Sequence, residues 1–151
     1  MPAVFHYAYR VTAEDGDELG HANNLSYLRW AVDAAMAHST AQGWPGERYH
    51  SAGCGWVVRT HQIEYRQPAF PGDDILVRTW VADMKRVTSL RRYRIVRMDA
   101  GDEVVLAVAA TDWAFIDFKT RIPKRIPVEV SSAFELVPED PPPLTDDCPR
   151  F

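Results

Sequence analysis

The run from Asn23 to Pro45, NNLSYLRWAVDAAMAHSTAQGWP, reads as the single long helix of a chain whose remaining regular segments read as strands. Within it Leu25, Leu28, Val32, Ala35 and Met36 recur at helical spacing, while Ser26, Arg29, Asp33 and Gln42 fill other faces. The pattern predicts a helix of about five turns. Asn23 or Asn24 can cap its first orphan amides, and Gly43 can take the left-handed conformation that closes the last turn, with Trp44 and Pro45 beyond it. Alanines at 31, 34, 35, 37 and 41 leave little bulk on several sides, so other backbone can approach closely. A helix of this kind is expected inside a curled sheet.

The strands for that sheet are legible. The segment FHYAYRVT alternates apolar and polar residues, and 56–67, 74–86, 88–98 and 103–118 are rich in β-branched and aromatic residues. They are broken by PAFPGDD, KRVT and DAGDE, which predicts strands joined by short turns in an antiparallel meander. Alternation is clear at Ile75, Val77, Thr79, Val81 and at Val104, Leu106, Val108, Ala110, but poor over 56–66. That strand is expected either buried on both faces or placed at an interface. One strand, a long helix and four further strands make an α+β fold, an antiparallel sheet wrapped around one central helix. The core domain is expected over 1–137. The tail 138–151, PEDPPPLTDDCPRF, concentrates proline and acid and reads as an appendage.

With 151 residues one core is expected. A net charge of −4 argues against a general nucleic-acid binder, and no run approaches the roughly 18 apolar residues of a membrane span. MPAVFHYAYR lacks the basic and apolar regions of a secretory signal, so a cytoplasmic location is expected. Cys54 and Cys148 lie far apart without metal-ligand spacing, so neither a metal site nor a disulfide framework is expected.

Immediately before the helix stands EDGDELGHANN, with Glu14, Asp15, Asp17 and Glu18 ahead of His21, Asn23 and Asn24. Acidic residues there are favourable for capping and for the helix dipole alone. A carboxylate facing first-turn amides also has the two parts that thioester hydrolysis needs, a base or nucleophile and a donor for the developing oxyanion. The loop by itself leaves both roles open.

Three segments narrow the choice. DGDELGHANNLSYLRW, IEYRQPAFPGDDILVRTWV and TDWAFIDFKTRIPKRIP resemble, in order and spacing, the hot-dog-fold acyl-CoA thioesterases of the 4-hydroxybenzoyl-CoA thioesterase type, over about residues 4 to 130. The first segment resembles that family's D-x-D-x-x-G-H-V-N-N-x-x-Y form, with Ala22 where the family has valine. The resemblance implies a thioesterase that cleaves an acyl- or aroyl-CoA, with Asp17 at the position of the catalytic carboxylate and the Asn24 backbone amide at that of the oxyanion donor. It places Tyr27 at a family position on the first helical turn, open to a role at the site or in the core. Asp15 is expected to order the turn, and His21 to pack or to hydrogen-bond beside the site. No cofactor is implied. Such proteins pair edge to edge as dimers or dimers of dimers, so a homodimer or homotetramer is expected, with Trp56, Thr60 and His61 of the partner's strand as site walls.

Lys85, Arg86, Arg91, Arg92, Arg94 and Arg97 cluster without an acidic residue among them. In a strand, Arg92 and Arg94 share one face and Arg91 and Arg97 the other. Arg86 and Arg92 are candidate contacts to coenzyme A phosphates; a solvated strand face is the competing reading. Lys119, Arg121, Lys124 and Arg125 form a second candidate patch. Two other functions fit the same fold: a non-catalytic acyl-CoA-binding module, and a dehydratase or hydratase. The hydratases commonly carry an Asp with a His five positions later, whereas Asp17 and His21 are four apart.

Overall fold

A computed structural model describes residues 3–145. Five antiparallel strands, β1 (Phe5–Arg10), β2 (Cys54–Tyr65), β3 (Asp74–Val81), β4 (Thr88–Asp99) and β5 (Asp102–Asp117), form one sheet in the order β1-β3-β4-β5-β2. The meander is therefore β3-β4-β5 alone. β2 does not join β3 as the linear reading implied; it pairs with β5, from Cys54 opposite Asp117 to Tyr65 opposite Ala107. That leaves β2 on a free edge, exposed along most of its length, so it is not buried on both faces.

The long helix α1 runs Asn24–Ala41, with Asn23 as its N-cap and Gly43 at φ +93° just beyond Gln42. Its identity and limits follow the sequence reading, but its buried face does not. Leu25 is 76% and Met36 58% exposed, while Tyr27, Trp30, Ala31, Ala34, Ala35 and His38 are buried. The small alanines let the helix axis approach the sheet, and the aromatic side chains fill the space on either side. Trp30 is wholly buried, with Tyr27 at 4.9 Å and Tyr9 at 5.5 Å between ring centroids. Ile75, Val77, Tyr93, Ile95 and Leu106 face this cluster from β3, β4 and β5. Two short helices, α2 (Gly46–Ala52) and α3 (Val128–Ser131), were not anticipated. α2 feeds directly into β2, where an added Cβ on Gly55 would meet the Phe118 ring at 2.6 Å, so a side chain there requires that ring to move.

Beyond α3 the chain returns across the outer face of the sheet, away from α1. The Val137 amide donates to the Val81 carbonyl, Arg94 and Arg78 donate to the carbonyls of Pro141 and Pro142 at 3.0 and 3.1 Å, and Leu144 is buried against Leu76 and Val96. Buried Glu103 organises this face. It pairs with Arg78 at 2.8 Å and Arg94 at 3.4 Å and accepts the Leu144 amide at 2.9 Å. The first part of the proline-rich segment is thus strapped to the sheet, whereas Cys148 lies outside the described residues. Cys54 is buried and unbridged. Among the described residues no helix is long and apolar enough to cross a membrane.

Candidate active site

Asp15 builds the loop that enters α1. Its side chain is wholly buried, and Oδ2 accepts from the Tyr9 hydroxyl at 2.7 Å, the Thr12 amide at 2.9 Å and the Thr12 hydroxyl at 3.1 Å, while Arg29 pairs with Oδ1. Burial pushes its carboxyl toward the neutral form, but the hydrogen bonds from Thr12 and Tyr9 outweigh burial and hold it below the usual carboxylate range. Its backbone carbonyl accepts the Asn23 amide at 2.8 Å and the Ser26 hydroxyl at 3.1 Å. One residue thereby locks β1, the loop and the start of α1 together, the ordering role expected of it.

Asp17 sits in a tight loop closed by a bridge between Gly16 and Ala22. Its amide donates to the His21 carbonyl at 2.8 Å and its carbonyl accepts from Gly20 at 3.1 Å, with Gly20 in the left-handed region at φ +85°. The carboxylate is held at both oxygens: Oδ1 accepts the Leu19 amide at 2.8 Å, and Oδ2 lies 3.3 Å from His21 Nδ1. It remains partly exposed, so a substrate can reach it. A few residues on, Asn23 Oδ1 takes the Ser26 amide at 3.0 Å. Capping by Asn23 leaves the Asn24 and Leu25 amides, at the positive end of the α1 dipole, without an acceptor among the described residues. A fixed carboxylate and free first-turn amides on one short connection can serve attack at a carbonyl and stabilisation of the resulting oxyanion.

The other sequence candidates scatter. Tyr27 is 2% exposed, and its hydroxyl accepts the Ala69 amide at 2.9 Å; of its two roles, the core is the one its surroundings fit. Trp56 is half-buried near the start of β2, donating to the Tyr49 hydroxyl at 3.1 Å. Thr60 and His61 are exposed further along the edge strand, with His61 Nδ1 2.8 Å from the Thr111 hydroxyl. Only the far end of β2 reaches the helix start, where the Tyr65 hydroxyl donates to the Asn24 carbonyl at 2.8 Å. Within one chain, then, Trp56, Thr60 and His61 are not assembled with Asp17. Tyr65 was missed in sequence, and a lone aromatic at a strand end 41 positions away carries no signal of that contact.

Arg86 and Arg92 are also apart. Arg92 lies on the outer face of the sheet, opposite Trp80, in a groove with Arg66, Arg94 and Asp140. Arg86 lines a different groove with Lys85 and Arg125, which unites parts of the two basic patches. Among the described residues no group of three or more His, Cys, Asp or Glu side chains is placed to hold a metal ion.

Comparison with known proteins agrees with the fold. The family model for the thioesterase-like superfamily matches residues 11–134. A chloroplastic palmitoyl-acyl carrier protein thioesterase from Cuphea hookeriana is 32% identical over 95 residues, 63% of this chain; the match spans 22% of that relative's length. A 1,4-dihydroxy-2-naphthoyl-CoA thioesterase from Synechocystis superposes with TM-score 0.79 at 21% identity, covering 86% of this chain and 94% of the other. A Staphylococcus aureus protein solved in complex with CoA superposes with TM-score 0.80 at 15% identity, covering 86% and 80%.

Proposed function

Because the chain belongs to the thioesterase-like superfamily, we propose that it hydrolyses an acyl- or aroyl-CoA thioester to the free carboxylic acid and CoA. The observation that carries this reading is the Asp17 carboxylate, fixed by Leu19 and His21 beside a helix start whose Asn24 amide is unoccupied. Asp17 either takes a proton from water, whose oxygen then attacks the thioester carbon, or attacks that carbon itself to give an acyl anhydride that water opens. In both routes the carbonyl oxygen gains charge, the Asn24 amide and the helix dipole stabilise it, the carbon–sulfur bond breaks, and the CoA thiolate leaves and is protonated. The complex of a structural neighbour with CoA supports the donor class.

A second copy of the chain completes the site in this reading. The free edge of β2, with Val57 and Val58 exposed on it, supports pairing with the same strand of another protomer. The partner's Trp56, Thr60 and His61 would then wall a site that one chain leaves open, with His21 beside the carboxylate and Arg86 and Arg92 as candidate phosphate contacts.

The test is thiol release from a panel of aromatic, short and long acyl-CoAs by the native protein and by Asp17→Asn. The expected loss in the variant is about 10²–10⁴-fold in kcat, the range of a positioned acid–base group. Asp17 also receives the Leu19 amide as a purely structural loop aspartate would. Native protein that binds acyl-CoA without releasing thiol would therefore establish a binding module instead. Single turnover in ¹⁸O-water tests the anhydride route. Label found in the Asp17 carboxylate marks an anhydride opened at the aspartyl carbon, whereas label found only in the product acid is common to direct attack by water and to an anhydride opened at the acyl carbon.

A further inference from the structure

An apolar cavity of about 280 Å³ lies between the C-terminal half of α1 and the sheet. Trp44, Trp56, Met84, Trp113 and Phe134 are among its walls, and the exposed Met36, Thr40 and Gly46 mark its mouth. At the helical rise of about 1.5 Å per residue, its first α1 residue, Ala35, stands about 16 Å along the helix from Asn24. It is therefore a different place from the Asp17 loop of the same chain.

One charged group lines this cavity. Arg91 is 6% exposed. It donates from Nη1 to His38 Nδ1 at 2.9 Å and to the Thr79 hydroxyl at 3.1 Å, both neutral partners, and its guanidinium stands 5.9 Å from the Phe134 ring. No carboxylate pairs with it among the described residues; buried Glu103 serves Arg78 and Arg94 on the opposite face of the sheet. Burial without a counter-ion pushes the Arg91 guanidinium below its ordinary range. His38 cannot relieve this, because burial and the neighbouring Arg91 keep its imidazole neutral, with a pKa lowered to about 3.

Ser39, Trp44, Tyr49, Trp56 and Ser89 of the walls have protein partners. The Ser39 hydroxyl donates to the Trp44 carbonyl at 2.7 Å, Ser89 donates to the Asp83 carbonyl at 2.8 Å, and Tyr49 accepts from Trp56. Trp44 donates to the Glu129 carbonyl at 3.1 Å. Hydrogen-bonding capacity is left at the Arg91 guanidinium, whose Nε and Nη2 have no acceptor among the described residues.

We propose that this cavity binds a small monocarboxylic acid, its carboxylate on Arg91 and its apolar body among the tryptophans. A single buried cation matches a single negative charge, whereas a phosphate dianion would bring a second charge into an apolar slot without compensation. At about 30 Å³ per water-sized unit the cavity holds on the order of ten non-hydrogen atoms, about the size of octanoate or 3-phenylpropionate. Free carboxylic acids are also the product class of thioester cleavage, but the assignment rests on the cavity and Arg91 and not on that reaction.

The experiment follows tryptophan fluorescence during titration with octanoate and 3-phenylpropionate, and with 1-octanol and methyl octanoate as uncharged controls. Trp44, Trp56 and Trp113 supply the signal. Octanoate is expected to bind at least tenfold tighter than either octyl control, Arg91→Met to abolish that preference, and Asp17→Asn to leave it unchanged. Equal affinity for charged and uncharged ligands overturns the proposal, as does the absence of carboxylate binding. Carboxylate binding that disappears in Asp17→Asn and survives in Arg91→Met would move the ligand to the thioester site. If Arg91→Met does not fold, the comparison of octanoate with its controls on native protein still decides.

Discussion

Asn24 offers an unusually clean separation of chemistry from folding. It is the first residue of α1, where proline's missing amide proton is least costly to the helix, and Asn23 before it is already extended at φ −75°, ψ 159°, as a residue preceding proline prefers. Asn24→Pro is therefore expected to keep the urea midpoint of the native protein while lowering kcat by about 10²–10³, the cost of one oxyanion donor. Asn24→Ala retains the amide and is expected to be milder than Asp17→Asn; equal loss in those two variants would remove the backbone assignment. A second residue-scale prediction concerns His38. The folded state keeps it neutral down to about pH 3, while the unfolded chain protonates it near the ordinary imidazole value of 6.5. Between those limits the unfolded state holds the extra proton, so His38 costs stability as pH falls, at up to about 1.4 kcal/mol per pH unit. Urea midpoints from pH 7 to 4 are expected to fall less steeply in His38→Gln, which can still accept from Arg91. Parallel slopes would mean that His38 titrates normally.

At the scale of elements, α1 was legible in its length and caps because those depend on local chemistry: an asparagine whose side chain reaches Ser26, and a glycine free to turn at Gly43. Its orientation was not legible. Leu25, Val32 and Met36 form an apolar row as regular as the buried one, and hydrophobic spacing alone does not say which row meets the sheet. The sheet chose the alanine side because backbone can approach there. Ala34→Leu is accordingly expected to destabilise by about 1–3 kcal/mol through overpacking, while Leu25→Ala stays within about 0.5 kcal/mol, both read from urea unfolding of the isolated protein. The reverse order would restore the sequence-based orientation. Asp15 and Asp17 were distinguishable in sequence only through the family resemblance, since each is an acid near a helix start; what separates them is burial against Tyr9, a contact between chain positions that periodicity cannot see.

For the whole molecule, the prediction is pairing through β2. Lysine on a strand edge opposes association with another edge, so Val58→Lys is expected to halve the mass measured by light scattering while leaving the unfolding midpoint of the dissociated chain within about 0.5 kcal/mol of native stability. A native protein that already scatters as a single chain would end the two-subunit account of the site. The order β1-β3-β4-β5-β2 has one more consequence, which concerns synthesis. Both strands made in the first half of the chain occupy the outside of the sheet, and each pairs only with a strand made later, β1 with β3 and β2 with β5. As the polypeptide emerges from the ribosome, α1 has only β1 for cover, through Tyr9 against Trp30, until β3 and β4 have been made. The nascent chain therefore passes through an interval in which the inward face of α1 is covered in part, and that interval lasts at least until β3 and β4 have left the ribosome.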